Sequence, residues 1–195
     1  MKHNFKDKGD IMELVVGITG ASGTIYAIRL LETLRIIENV KVNLVISEWA
    51  KKNIEIETEY SLEYVLSLAD RVFDNKNMAA SISSGSFLVV ALIILPCSMT
   101  TLSAFSSGYT DSFITSVADV TMKEGRKLII SPRETPLNSI HLENMLKLSK
   151  FGVRIVPPMP AFYNNPKSID DIINHTVMKI LDQVGIHTNN KERWQ

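Results

Sequence analysis

The stretch VVGITGASGTIYAIRLLETLR, Val15 to Arg35, joins an apolar run to an amphipathic one through Thr19-Gly20-Ala21-Ser22-Gly23. A strand that enters a helix through a glycine-rich turn presents backbone N–H groups where an anion is stabilised. The spacing Gly17-x-x-Gly20-x-x-Gly23 is not the GxGxxG dinucleotide fingerprint, and no Gly-Lys-Ser/Thr follows. The turn therefore argues for an anion without naming it. Ser47, Ser98, Thr100 and Thr101 also stand just past apolar runs. A single hydroxyl at such a position is more often an ordinary N-cap. As a set with Ser22, they suit a phosphate or the polar rim of a flat cofactor.

Other residues carry charge or reactivity. SPRETP places Arg133 and Glu134 just past a buried run, either as a salt bridge at a helix entry or as part of a site. Lys123 has the i,i+4 spacing to pair with Asp119. PPMPAFY holds Phe162 and Tyr163 in a proline-stiffened loop, where aromatics usually pack and a Tyr hydroxyl can also bind phosphate. Cys97 follows an apolar run, where a small buried side chain is commoner than a reactive thiol. His3, His141, His175 and His187 lack metal-ligand spacing, and no metal is expected. GxSxG and HExxH are both absent.

The elements that position these residues follow from periodicity. Strands are predicted at Leu14–Ile18, Val40–Ile46, Leu88–Leu95, Leu128–Ile130 and Val153–Val156, with a short edge strand at Arg71–Asp74. Helices are predicted from Ser22 to Ile37, from Glu48, over Ser61–Ala69, after Pro96, and from about Phe113 to Lys123. A further helix is expected after a Thr135-Pro136 cap, with the stripe Leu142, Met145, Leu146 and Ser149. The last is capped by Ser168, with Ile169, Ile172, Ile173, Val177, Ile180 and Leu181 facing the core. Asn77 to Phe87 reads as a loop. Alternation of this kind predicts an α/β fold, a three-layer α/β/α arrangement with a mostly parallel sheet. Ligands on such sheets bind at the carboxyl ends of the strands. The loops at Thr19–Gly23, Ser47, Pro96–Thr101 and Ser131–Thr135 are thus expected to converge.

Composition sets the outer bounds. At 195 residues the chain is expected to form one domain over 12–195, after a flexible extension over 1–11 that has no signal-peptide core. Lys+Arg 21 against Asp+Glu 21 gives no net charge, so neither nucleic acid nor a membrane is expected as a partner. The run FLVVALIILP is too short to span a bilayer. One cysteine excludes an internal disulfide framework and fits a cytoplasmic protein.

Five segments together carry a resemblance: GITGASGTIYAIRLLETL, AASISSGSF, LPCSMTTLSAFSSGYTD, ADVTMKEGRKLIISPRETPL and PPMPAFYNNPKSIDDIINHTVMKILDQVGI. In order and with few gaps from about Met12, they resemble the UbiX-type flavin prenyltransferases, once called phenylacrylic acid decarboxylases. The resemblance implies a Rossmann-like, FMN-binding subunit, usually of a homo-oligomeric dodecamer. It implies metal-independent transfer of a dimethylallyl group from dimethylallyl phosphate to N5 and C6 of reduced FMN. The product, prenylated FMN, would serve UbiD-type decarboxylases.

Residue by residue, the resemblance assigns FMN binding to Gly20, Ala21, Ser22, Ser47, Ser98, Met99, Thr100, Thr101 and Arg133. Glu57 matches an acidic residue that reaches the flavin from a neighbouring subunit, and Lys123, Glu134, Tyr163 and Lys179 match the prenyl-phosphate site. Ser22 and Glu57 are candidates for proton handling near N5, and Glu134 for proton exchange with the departing phosphate. Lys123, Arg133 and Lys179 supply cations for charge developing on the leaving oxygens. Phe162 and the AASISSGSF loop would shield the allylic fragment from water. Ser116, Gly125 and Lys179 stand where arginine is common, which lowers charge or bidentate capacity. Two alternatives are an FMN-dependent decarboxylase of peptidyl- or pantothenoyl-cysteine and a non-catalytic FMN-binding subunit of a decarboxylase. The first typically has an active-site His and a PAMN-like motif, where this chain has PPMPAFY.

Overall fold

The computed structural model describes residues 11–78, 82 and 84–188. Six parallel strands form one sheet in the order β3-β2-β1-β4-β5-β6: β1 Met12–Ile18, β2 Val40–Ile46, β3 Arg71–Asp74, β4 Ala91–Cys97, β5 Lys127–Pro132 and β6 Arg154–Ile155. The helices are α1 Thr24–Arg35, α2 Glu48–Glu57, α3 Leu62–Ser67, α4 Met99–Ser107, α5 Phe113–Lys123, α6 Ser139–Lys150 and α7 Ile169–Val184. The strands alternate between two apolar layers, as residues pointing to opposite sheet faces must. Leu14, Val16, Ile18, Ile93 and Leu95 pack with α1 and α7, whereas Val15, Leu92 and Ile94 pack with α4, α5 and Leu148 of α6. The α/β three-layer expectation holds. Among the described residues, no helix is long and apolar enough to cross a membrane.

Several boundaries differ from the periodic reading. The first helix begins at Thr24, because Gly23 at φ +99° holds a left-handed conformation that helical residues cannot share. The strand expected from Leu88 starts at Ala91, and Leu88 is exposed. Thr135-Pro136 does not cap α6. Asn138 does, accepting the His141 N–H at 2.9 Å in a capping box. On α6 the buried contact is Leu148, and Leu142 and Leu146 of the expected stripe are exposed beside Ile140 and Phe151. Ser168 caps α7 as expected, but Ile169 lies in solvent at its first turn. The expected extension 1–11 lies outside the described residues except for Ile11, as does part of the loop Asn77–Phe87.

Candidate active site

Chain order runs outward from β1 to β3 on one side and from β4 to β6 on the other, so a crevice opens beyond the carboxyl ends of β1 and β4. Thr19, buried at the end of β1, ties the two sides together. Its Oγ1 donates to the Pro96 carbonyl at 2.9 Å and accepts the Ser98 N–H at 2.8 Å. The Ser47 N–H donates to the Ile18 carbonyl at 3.0 Å, and the Arg133 N–H to the Cys97 carbonyl at 3.2 Å. The loops after β1, β2, β4 and β5 are therefore stitched into one rim, as expected.

The hydroxyls on that rim cap helices. Ser47 Oγ accepts the Ala50 N–H at 3.2 Å, and Ser98 Oγ accepts the Thr101 N–H at 3.2 Å while donating to Thr101 Oγ1 at 3.0 Å. A capping serine that accepts from the backbone still has a hydrogen to donate, so the Ser47 cap does not exclude ligand contact. Met99 and Thr100 occupy the first turn of α4, where helix N–H groups lack intrahelical partners. Ser22 is half-buried between Gly23 and Ala21, whose carbonyl accepts Asn53 Nδ2 at 3.1 Å. Gly20 lies hard against α2, since a Cβ there would stand 2.7 Å from Trp49 Cβ.

At the start of α1 the anion is a carboxylate of the same chain: Glu57, expected to reach the flavin of a neighbouring subunit, is engaged here within its own protomer. Glu57 Oε2 accepts the N–H of Gly23 at 2.8 Å and of Thr24 at 3.3 Å, with the Thr24 hydroxyl at 3.4 Å. It thus supplies the cap that Gly23, lacking a side chain, cannot. Arg133 forms no ion pair with Glu134 among the described residues. The Arg133 charge instead acts on Tyr26, whose phenol burial raises above its ordinary range and the guanidinium partly draws back. Glu134 is exposed, its Oε1 accepting the Thr135 N–H at 3.0 Å. Burial pushes the Cys97 thiol well above its usual range, which makes it a packing residue.

Tyr163 is presented by a turn that Asn165, at φ 53°, closes by donating its N–H to the Phe162 carbonyl at 3.0 Å. The Tyr163 hydroxyl lies 2.7 Å from His175 Nε2, with the rings edge to face at 5.5 Å. Lys179 follows one turn later on the same face of α7. Burial, and then the Lys179 ammonium, hold the His175 imidazole below its ordinary range. Tyr163 and Lys179 are thus brought together through a residue to which the sequence reading gave no role. The signal available was a polar side chain on an otherwise apolar helix face. Thr19, Trp49 and Tyr26 were also given no individual role, and nothing in their spacing marks them.

Lys123 sits elsewhere. The N-terminus of α5 lies at the carboxyl end of β3, where the Phe113 N–H donates to the Asn75 carbonyl at 2.8 Å. The helix then runs back to the start of β5. Lys123, at its far end, lies at the amino ends of the strands in a cleft of about 450 Å³ that Phe105, Asp119, Lys147 and Phe151 also line. Among the described residues, no ion pair joins it to Asp119, contrary to the i,i+4 expectation.

The rim fits a flat phosphate-bearing group. The N-termini of α2 and α4, with their capping hydroxyls Ser47 and Ser98, stand at the carboxyl ends of β2 and β4, and the Arg133 backbone adjoins them through Cys97. The Asn164 Oδ1, next to Tyr163, is buried with no hydrogen-bond partner among the described residues, which leaves an acceptor open to an added donor.

A six-stranded parallel sheet with such a rim defines a protein of the doubly wound α/β class, and residues 3–181 match the Flavoprotein family. The chain is 54% identical over 182 residues to a flavin prenyltransferase, LpdB, of Lactiplantibacillus plantarum, covering 93% of this chain and 97% of that protein. A dodecameric FMN-dependent UbiX-like decarboxylase from Escherichia coli O157:H7 superposes with a TM-score of 0.93 at 52% identity, over 94% of this chain and 100% of that one. AnUbiX (PadA1), solved with FMN and dimethylallyl pyrophosphate, superposes at 0.92 with 45% identity, over 95% and 98%. The chain belongs to the Flavoprotein family, among its UbiX-type flavin prenyltransferases.

Proposed function

We propose that this protein transfers a dimethylallyl group from dimethylallyl phosphate to FMN, making prenylated FMN for a UbiD-type decarboxylase. One observation carries the reading: the loops after β1, β2, β4 and β5 meet in a single hydroxyl-lined rim, in a chain 54% identical to a flavin prenyltransferase. Gly20, Ala21, Ser22, Ser47, the first turn of α4 from Ser98 to Thr101, and Arg133 hold FMN. Bound and reduced, FMN supplies the nucleophilic N5 and C6 positions. Ser22 and Glu57 handle protons beside it. Tyr163 and Lys179 bind the prenyl phosphate, and Glu134 exchanges a proton with the phosphate as it leaves. Apolar surface at Phe162 keeps water from the allylic fragment.

Lys123 joins this site from a second copy of the chain, because within one protomer it lies at the opposite end of the sheet. Two features support an oligomer: α6 exposes Ile140, Leu142, Leu146 and Phe151 together, and a relative at 52% identity is dodecameric. The single cysteine suits a cytoplasmic location.

The test is anaerobic incubation of the protein with reduced FMN and dimethylallyl phosphate, followed by mass spectrometry of the flavin. Gain of one dimethylallyl unit is expected, and an unchanged flavin would leave a binding subunit in its place.

A further inference from the structure

We propose that His175 is a positioning residue, which holds the Tyr163 phenol oxygen through its Nε2–H and so turns the phenol hydrogen toward the phosphate of the prenyl donor. The inference rests on the flavin-prenyltransferase reading and adds to it a residue for which neither the sequence pattern nor the resemblance gave a role. Its basis is geometric. The Tyr163 hydroxyl and His175 Nε2 are 2.7 Å apart, the rings meet edge to face, and His175 is only 6% exposed while Tyr163 is 48% exposed. The imidazole is therefore fixed in the helix packing, whereas Tyr163 lies at its edge, half outside it.

A neutral imidazole carries one N–H, and its tautomer decides what the phenol presents outward. With Nε2 bare, Tyr163 donates to His175 and turns only lone pairs outward, which repel a phosphate. With Nε2 protonated, the imidazole donates and the phenol hydrogen turns outward, beside the Lys179 ammonium on the same helix face. A bound phosphate selects the second arrangement, because only that one gives it a hydrogen bond. Lys179 adds a reason for His175 to act as a neutral donor, since an imidazolium beside an ammonium is disfavoured. Nothing is consumed in this step, for the proton on Nε2 stays on Nε2.

The experiment uses the full chain loaded with FMN and compares His175→Leu, His175→Gln and Tyr163→Phe. His175→Leu should raise the KM for dimethylallyl phosphate roughly three- to tenfold, leaving FMN affinity unchanged, as expected for a lost ground-state contact. His175→Gln, whose amide also donates, should restore most of that loss. The double variant Tyr163→Phe/His175→Leu should be no worse than Tyr163→Phe alone, because both remove the same contact. Calorimetric binding of inorganic phosphate should weaken in parallel, a readout that does not require turnover. A KM untouched by His175→Leu, or effects of the two single variants that multiply, would overturn the inference. If His175→Leu fails to fold, His175→Gln decides by the same criteria within the cycle: it should keep a near-native KM and phosphate affinity, and a loss that multiplies with that of Tyr163→Phe overturns the inference. Failure of the wild type to prenylate FMN instead refutes the underlying reading, and phosphate binding still tests the Tyr163–His175 pair.

Discussion

Glu57, the last residue of α2, caps α1: its Oε2 accepts the Gly23 N–H at 2.8 Å, across 34 positions of sequence. The glycine-rich turn that signals an anion thus receives one from within the chain. In the proposed site, phosphate binding therefore falls to the neighbouring starts of α2 and α4 and to Arg133. The contact also brings the Glu57 carboxylate to within one residue of Ser22, joining the two groups assigned to proton handling.

Two substitutions at Glu57 separate capping from chemistry. Glu57→Ala removes the cap and should cost about 1 kcal/mol, in the range typical of lost N-caps. That corresponds to a fall in melting temperature of about 2–4 °C for a domain of this size. Glu57→Gln keeps an acceptor and loses only the charge. It should melt close to the wild type while prenyl transfer slows roughly 10²-fold or more, as for a lost general acid–base group. Equal activity of Glu57→Gln and wild type would leave the residue a cap alone.

Gly20→Ala should weaken FMN binding by pushing the loop after β1 off α2, since the new Cβ would stand 2.7 Å from Trp49 Cβ. Truncating Trp49 to alanine retains the clashing atom and should not rescue the variant, whereas Trp49→Gly should. Fluorescence titration with FMN across these combinations checks the geometry. Rescue by Trp49→Ala would mean that the indole, not the Cβ, sets the spacing.

Cys97 gives a chemical test of the packing. Burial raises its thiol well above the usual range, so almost no thiolate exists at neutral pH. It should resist iodoacetamide in the folded protein and react once the chain is denatured. Cys97→Ala should retain prenyl transfer, with a loss of stability of roughly 1 kcal/mol for the small cavity left behind. Rapid alkylation of the native protein would show a thiol more accessible than this packing allows.

What the sequence made legible follows from which forces are local. The apolar strands, the caps at Ser47, Ser98 and Ser168, and the convergence of their loops are set by periodicity and capping chemistry within a few residues. The Glu57–Gly23 cap and the Tyr163–His175 contact depend on how distant elements pack, and no short-range pattern encodes either. Leu142 and Leu146 show the same limit from the other side. A helical apolar stripe says that a face is covered, but not whether the covering surface is this protomer's core or another copy.

The His175–Lys179 pair makes stability depend on pH. Folding lowers the affinity of His175 for a proton, through burial first and the Lys179 ammonium second. The unfolded chain therefore binds more protons as pH falls through the ordinary imidazole value of 6.5, and stability falls with it. Above that value the full stability is present. Lys179→Ala should raise the His175 pKa, seen by NMR titration, and reduce the loss of melting temperature on acidification. Lys179→Arg should preserve the pH behaviour and lower the KM for dimethylallyl phosphate, since a guanidinium can grip phosphate with two parallel hydrogen bonds. An unchanged His175 pKa in Lys179→Ala would mean that the ammonium points away from the ring.

Lys123 provides the test of a site shared between copies. Within one protomer α5 carries it to the amino ends of the strands, while Glu134 follows β5 at the carboxyl ends. If both act on the same phosphate, they come from different chains. Lys123→Ala and Glu134→Gln should each depress prenyl transfer strongly when assembled alone. Unfolded together and co-refolded in equal amounts, they form mixed assemblies in which some sites draw Glu134 from one chain and Lys123 from the other. Random mixing makes about a quarter of the sites fully wild type, so activity should return to about that fraction of the wild-type value. A mixture no more active than its two components would place both residues in one protomer's site, or exclude Lys123 from it. FMN binding by both variants, measured before mixing, should match the wild type, because Lys123 lies at the opposite end of the sheet from the loops proposed to hold the flavin and Glu134→Gln keeps an acceptor for the Thr135 N–H.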